Sequence, residues 1–320
     1  MPVGVLLFTS AIVAVPPRSV QTLRCEDPMA ILNVHHRTSY RYSQPVEFGE
    51  HRLMSRPRDS HDLRLIDTTL LIDPPPSALR WIHDVFGNSI AIATFDRPAD
   101  TLTFESAFRA QHYPVVSEEI VVEPYASRFP FSYSADDALD LGRTKERVYS
   151  DPEHRIDQWV KNVLDRTPGG RTFETLVAMT SAIREQFKYV VREQEGVQSP
   201  LATLELRRGS CRDFAVFMME AARGLGLGAR FVSGYLYDEH LVGAASGMVG
   251  TGATHAWLQV YLPGAGWVEF DPTNALVGGR NLIRVAVARD AAQAVPVVGS
   301  FKGPAGSFLS LSVNVTVTTE

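Results

Sequence analysis

Two cysteines in 320 residues, Cys25 and Cys211, are too few and too far apart for a disulfide framework. A reducing compartment is the simpler setting, so the expected location is cytoplasmic and Cys211 is expected to be a free thiol. The apolar stretch MPVGVLLFTSAIVAVPP is too short to span a bilayer, and it lacks the basic residues that open a secretory signal. An unstructured extension over 1–28 is therefore favoured over a signal peptide, with Cys25 an incidental thiol in it. No sustained basic stripe is present and the net charge is -5, which argues against a nucleic-acid partner. No Cys-x-x-Cys or His-x-x-x-His pair marks a metal site. GLGLGAR lies at a helix end before a strand, the reverse order of a dinucleotide fingerprint. No cofactor, metal or membrane partner is expected.

What is present divides into two patterns. ILNVHHRTSYRY, LRLIDTTLLID, SIAIATFD and TLTFESAFRAQHY are short runs rich in β-branched and aromatic residues, separated by turn clusters at 73–76 (DPPP) and 84–88 (DVFGN). No helical period interrupts them, so residues 29–125 read as an antiparallel β-sandwich-like domain. Residues 126–150 read as a mixed connection. Helical signals follow. Asp151-Pro152 offers a cap and a first-turn proline for a helix with Ile156, Trp159, Val160, Val163 and Leu164 on one face. Thr172 is expected to cap a second helix, and Ser199-Pro200 a short helical turn. Cys211 opens a third helix, stopped by Gly224 and Gly226. The strands ARFVSGYLY, THAWLQVYL and GWVEFDP come next. Helices first and antiparallel strands afterwards make residues 151–280 an α+β unit. The segment 281–320, ending in the alternating SFLSLSVNVTVTTE, is expected to return as strands packing on the sheets. The Gly-rich stretch 236–254 reads as a loop.

A cysteine at a helix N-terminus faces the partial positive charge of unpaired N–H groups, which favours thiolate, and Arg208 and Arg212 add to it. Taken alone, Cys211 reads as a packing residue, His255 as a polar-face histidine and Asp271, before Pro272, as a turn residue. Together they supply a nucleophile, a base within reach and an acceptor that fixes the imidazole tautomer. That requires His255 and Asp271 to share a face of the hairpin. Pairing Leu262 with Trp267 around PGAG points them apart. A three- or five-residue loop, or a bulge, makes them opposite or diagonal neighbours, so one of these is expected.

The blocks GSCRDFA, ARFVSGYL and THAWLQVYLPGAGWVEFDPTN, in this order across roughly 145–280, resemble the transglutaminase-like superfamily. HHRTSYRYSQPV, the Arg56-Pro57-Arg58 step and DVFGN are similar to the N-terminal domain of its bacterial members. The resemblance implies a papain-like core with Cys211 as nucleophile, His255 as general base and acid, and Asp271 as the orienter of His255. It also implies an oxyanion site formed by the Cys211 N–H and a second donor upstream, for which Tyr189 is the candidate. Asp213 is expected to brace the helix start. Trp257 and Trp267 are candidates for a substrate groove, with core packing favoured for at least one. Within 282–296 the family usually begins with His and carries a later Asp, where this chain has Leu282 and Gln293.

The reading is a cysteine-dependent acyl-transfer enzyme acting on amide bonds of peptides or proteins, with hydrolysis favoured over cross-linking. The alternatives are an inactive peptide-binding module that kept the fold, and a zinc site on the same three side chains. The sequence leaves the oligomeric state open.

Overall fold

The computed structural model describes residues 31–192, 194, 196–237 and 252–320. The expected extension with Cys25 lies outside the described residues, as does most of the Gly-rich stretch 236–254. Six strands form first: β1 (Ile31–Phe48), β2 (His51–Arg56), β3 (Leu63–Asp73), β4 (Ala78–His83), β5 (Ser89–Thr94) and β6 (Ala99–His112). Alternation along β1 buries Leu32, Val34, His36 and Thr38, as period-2 patterning demands. One sheet holds β1, β6 and β3, and the other holds β2, β5 and β4. Tyr42, Val46, Leu102 and Phe104 of the first sheet bury themselves against Leu53, Ala91 and Ala93 of the second. This is the antiparallel sandwich arrangement.

The connection that follows is less featureless than its composition suggests. It carries a short helix, α1 (Ala135–Leu141), capped by Ser134, whose hydroxyl accepts from the Asp137 N–H at 3.1 Å. Next come α2 (Arg155–Leu164), α3 (Thr172–Gln186), the two-residue β7 (Lys188–Tyr189), α4 (Pro200–Leu206), β8 (Arg208–Gly209) and α5 (Cys211–Gly224). Two helix starts differ from expectation. α2 begins at Arg155 rather than Pro152, because Asp151 reaches forward and accepts from the N–H groups of Arg155, Ile156 and Asp157. Thr172 is the first residue of α3 rather than its cap, because its hydroxyl donates to the Ala126 carbonyl at 2.6 Å. Ser199 does cap α4, accepting from the Ala202 N–H.

Five antiparallel strands complete the second unit: β9 (Ala229–Leu236), β10 (His255–Leu262), β11 (Gly266–Asp271), β12 (Leu276–Val277) and β13 (Leu282–Ala288), in spatial order β12-β11-β10-β9-β13. The helices bury Ile156, Leu176, Phe214, Phe217 and Met218 against Ala256, Leu258, Val260 and Leu262 on one face of this sheet. The chain then returns to the first unit. β14 (Val297–Val298) joins β2, while β15 (Phe301–Lys302) and β16 (Phe308–Thr319) both pair with β1.

The two units share a core in which Leu32, Leu63 and Phe108 meet Tyr235, Ile283 and Val285. The DVFGN turn adds a specific clamp. Asp84 accepts from the Phe86 and Asn88 N–H groups and from the Asn88 side chain, holding it in place. Asn88 then accepts from the Val287 N–H at 2.9 Å and donates to the Val287 carbonyl at 2.6 Å. These bonds satisfy the backbone beside the register shift between Arg284 and Ala286 in β13. Among the described residues no helix is long and apolar enough to cross a membrane.

Candidate active site

Cys211 is placed by its neighbours on both sides in sequence. β8, just ahead of it, pairs in parallel with β7, setting Tyr189 beside Gly209. Ser210 then caps α5 in a reciprocal box. Its hydroxyl accepts from the Asp213 N–H while the Asp213 carboxylate accepts from the Ser210 N–H at 2.8 Å. The other oxygen of Asp213 accepts from Arg192 at 2.8 Å and from the Gln198 N–H at 2.6 Å. Asp213 is fully buried, so the expected brace holds the helix start and also the chain leading into it. Cys211 becomes the first residue of α5, where backbone N–H groups lack helical acceptors. Its thiol is free and 7% exposed.

The hairpin has the geometry that the shared face requires. Leu262 pairs with Gly266 across a three-residue loop, and Leu258 pairs with Phe270. Gly264 and Gly266 supply the left-handed conformations, at φ 89 and 73, that turn the chain. The register makes His255 and Asp271 diagonal neighbours, and Nε2 of His255 lies 2.8 Å from Oδ2 of Asp271. Both side chains are buried. Asp271 also accepts from the Thr273 N–H and the Asn274 side chain, each at 2.9 Å. Burial works to push the Asp271 carboxyl up, but the imidazole and these donors outweigh it and hold the carboxyl below its ordinary range. Burial likewise works to push the His255 imidazole down. The Asp271 carboxylate, with a smaller contribution from the Cys211 thiol, overcomes this and raises it to about 10. Nδ1 of His255 is buried without a well-formed hydrogen bond, leaving it as the nitrogen available to the sulfur.

The remaining sequence candidates divide. Tyr189 sits beside the pair. Its hydroxyl is pushed up to about 12 by burial first and then by Cys211 and Asp271, both close enough to act on it. Trp257 is not a groove residue. It is fully buried, its ring stacks on His255 with centroids 6.0 Å apart, and its indole N–H donates to Glu269. Gly234, opposite His255 on β9, makes room for it, since a Cβ there would lie 2.7 Å from the Trp257 ring. Trp267 is half-buried and lines a cavity further along the hairpin, with the Arg230 guanidinium 4.1 Å above its ring. Arg212 is half-buried over Phe231, donates to the Ala291 carbonyl and lies close enough to Cys211 to feel its charge; Arg208 is exposed.

Two family models match this chain: the bacterial transglutaminase-like N-terminal region over residues 32–111 and the transglutaminase-like superfamily over 157–272. An uncharacterized protein of Mycobacterium tuberculosis strain H37Rv is 30% identical over 299 residues, covering 88% of this chain and 91% of its own. The chain belongs to the transglutaminase-like superfamily. An uncharacterized protein of Mycobacterium leprae is 27% identical over 288 residues, covering 89% of this chain and 98% of that protein. A candidate cysteine protease from Cytophaga hutchinsonii shares the fold, with a TM-score of 0.63 at 18% identity and 91% of each chain covered.

Several residues around this transglutaminase-like site had no part in the sequence reading. Asn274 and the Thr273 N–H clasp Asp271; the DPTN order, a carboxylate followed by backbone and amide donors in a turn, is their signal. Glu269 was legible only as a strand residue on the polar face. It accepts from Trp257, from Gln259 at 2.7 Å and from Arg284 at 2.7 Å, and Arg284 in turn bonds Asp62 of the β domain at 3.0 Å. The two departures from the family pattern have structural places. Leu282 packs with Leu236, Trp257 and Val287. Gln293 accepts from the Asp290 N–H in a capping box. Among the described residues no cluster of acids, histidines and cysteine forms a metal cradle.

Proposed function

We propose that this transglutaminase-like protein is a cysteine-dependent acyl-transfer enzyme acting on amide bonds of peptides or proteins, with water as the favoured second nucleophile. The observation that carries the reading is the buried imidazole between Asp271 and Cys211, with one nitrogen bonded to the carboxylate and the other, without a well-formed hydrogen bond, left to the Cys211 sulfur. The thiol proton passes to Nδ1 of His255 as the sulfur attacks the amide carbon. The Cys211 N–H and the Tyr189 hydroxyl are the donors assigned to the oxyanion, and Asp271 stabilises the imidazolium. His255 returns the proton to the departing amine or ammonia, leaving a thioester. Water then attacks the thioester, giving its proton to His255, and the acid leaves as the sulfur is released. The name of the Cytophaga relative supports hydrolysis over cross-linking. A cytoplasmic setting keeps such a thiol reduced.

The test is mass spectrometry of a glutaminyl-peptide library incubated with the protein and an amine donor. Cleaved or deamidated peptides are expected, absent with Cys211→Ala. Amine incorporation in place of hydrolysis would reassign the second step to cross-linking. Equal product from Cys211→Ala would overturn the cysteine-dependent reading, and none from the native protein with any peptide would leave the binding-module alternative in its place.

A further inference from the structure

A cavity of about 560 Å³ lies between the β domain and the sheet that carries His255. Asp62, Phe86 and Asn88 line it from the first unit, and Arg230, Trp267 and Glu269 from the second. Its hydrogen-bonding capacity is one-sided. Glu269 already accepts three hydrogen bonds, from Trp257, Gln259 and Arg284. Asp62 accepts from Ser60 and from Arg284 at 3.0 and 3.1 Å. Asp59, also on the wall, is exposed to solvent. The donors are different. Arg230 spends only its Nε–H, on Gln259 at 2.6 Å, and its guanidinium lies over the Trp267 ring. Among the described residues its terminal nitrogens have neither a hydrogen bond nor an ion pair. A guanidinium presents five N–H groups in a planar fork suited to a carboxylate. Burial lowers this one to about 10, the mark of a charge whose lost hydration has no full replacement.

We propose that this interdomain cavity is a binding site for a carboxylate-bearing ligand, gripped by the free edge of Arg230 against Trp267. Gln259 lies four residues along β10 from His255, about 13 Å at strand rise. The site is therefore separate from the reacting centre and stands whether or not the acyl-transfer reading does. It is nonetheless joined to that centre by contact: Arg230 holds Gln259, Gln259 and Trp257 both bond Glu269, and Trp257 stacks on His255. Either a free organic acid or the C-terminus of a peptide has the required group.

The test uses the ¹⁵N-labelled full chain and reads the indole N–H signal of Trp267, assigned by its loss in Trp267→Phe. N-benzoylglycine and acetyl-trialanine are titrated in parallel with their C-terminal amides. The expected result is that at least one free acid shifts the Trp267 signal while its amide does not, with the Trp159 signal unmoved. A response to the small acid alone or to the peptide alone supports the site and identifies which source fits. Arg230→Gln is expected to weaken binding about tenfold or more, the cost of losing a charge-assisted fork. Should Arg230→Gln not fold, the acid-against-amide comparison on the native protein decides alone. A Trp267 signal that ignores both acids, amides that shift it equally, or undiminished binding by a folded Arg230→Gln would overturn the proposal.

Discussion

The β10–β11 hairpin has two faces that obey the same alternation and do opposite things. One presents Ala256, Leu258, Val260, Val268 and Phe270 to the helices, an apolar layer with no polar side chain among these five. The other presents His255, Trp257, Gln259, Glu269 and Asp271, nearly as well buried yet joined by hydrogen bonds. The apolar face needs only shape and area to hold α5. The polar face is buried beneath side chains of its own sheet and of the β domain, so its groups need partners, and those partners align the imidazole. Burial alone thus fails to separate scaffold from machinery here; satisfied polarity does.

The comparison breaks most sharply at Asp271. Asp271→Asn is expected to cut turnover roughly 10⁴-fold, through loss of imidazolium stabilisation and of the tautomer. It should also move the His255-dependent limb of the pH–rate profile to lower pH, since Asp271 is what raises His255. The linked stability has a definite sign. The imidazole's contribution is complete below its ordinary value of about 6.5 and fades as pH rises through about 10. Asp271, held low, contributes above its ordinary value of about 3.9 and loses that contribution as pH falls. Urea unfolding should therefore show a gap between native protein and Asp271→Asn that is wide near pH 6 and narrower above pH 10. A pH-independent gap would contradict the pairing.

Next in size is a matched pair of truncations. Glu269→Ala leaves Arg284, Gln259 and the Trp257 indole without their acceptor, at a cost of about 3–5 kcal/mol. Leu258→Ala, on the other face, is expected to cost about 2–5 kcal/mol through its cavity. The distinction lies in the chemistry. Alkylation of Cys211 by iodoacetamide should change with Glu269→Ala, which frees the ring stacked on His255, and stay near native with Leu258→Ala. The smallest effect is expected from Asn88→Ala, about 1–3 kcal/mol, because it orphans both backbone groups of Val287 while leaving the hairpin intact. Denaturant midpoints check it.

Much of this was written locally. The Ser210–Asp213 cap and the α5 boundaries follow from turn chemistry and period, which act over a few residues, whereas the PGAG turn allows either register and the shared face of His255 and Asp271 was expected only because the chemistry requires it. Trp257 shows the limit. Alternation says which way a side chain points but not what covers it, and the cover comes from Leu282 and Val287 of β13 and from Phe86 in the DVFGN turn of the β domain. Arg284 and Glu269 were opaque for the same reason, since their partners converge from both units. The helix in the connection was obscured by its shortness, although Ser134 supplies its cap.

The pairing of β16 with β1, which joins Leu32 to Thr319, sets an order for synthesis. As the polypeptide emerges from the ribosome, the first sheet is made early but keeps one margin of β1 open until Phe308–Thr319 has been translated. The two units cannot mature as successive beads. The early sheet must wait, with exposed backbone donors and acceptors, while the thiol-bearing half folds between its first and last strands, and the final twelve-residue strand closes both halves together.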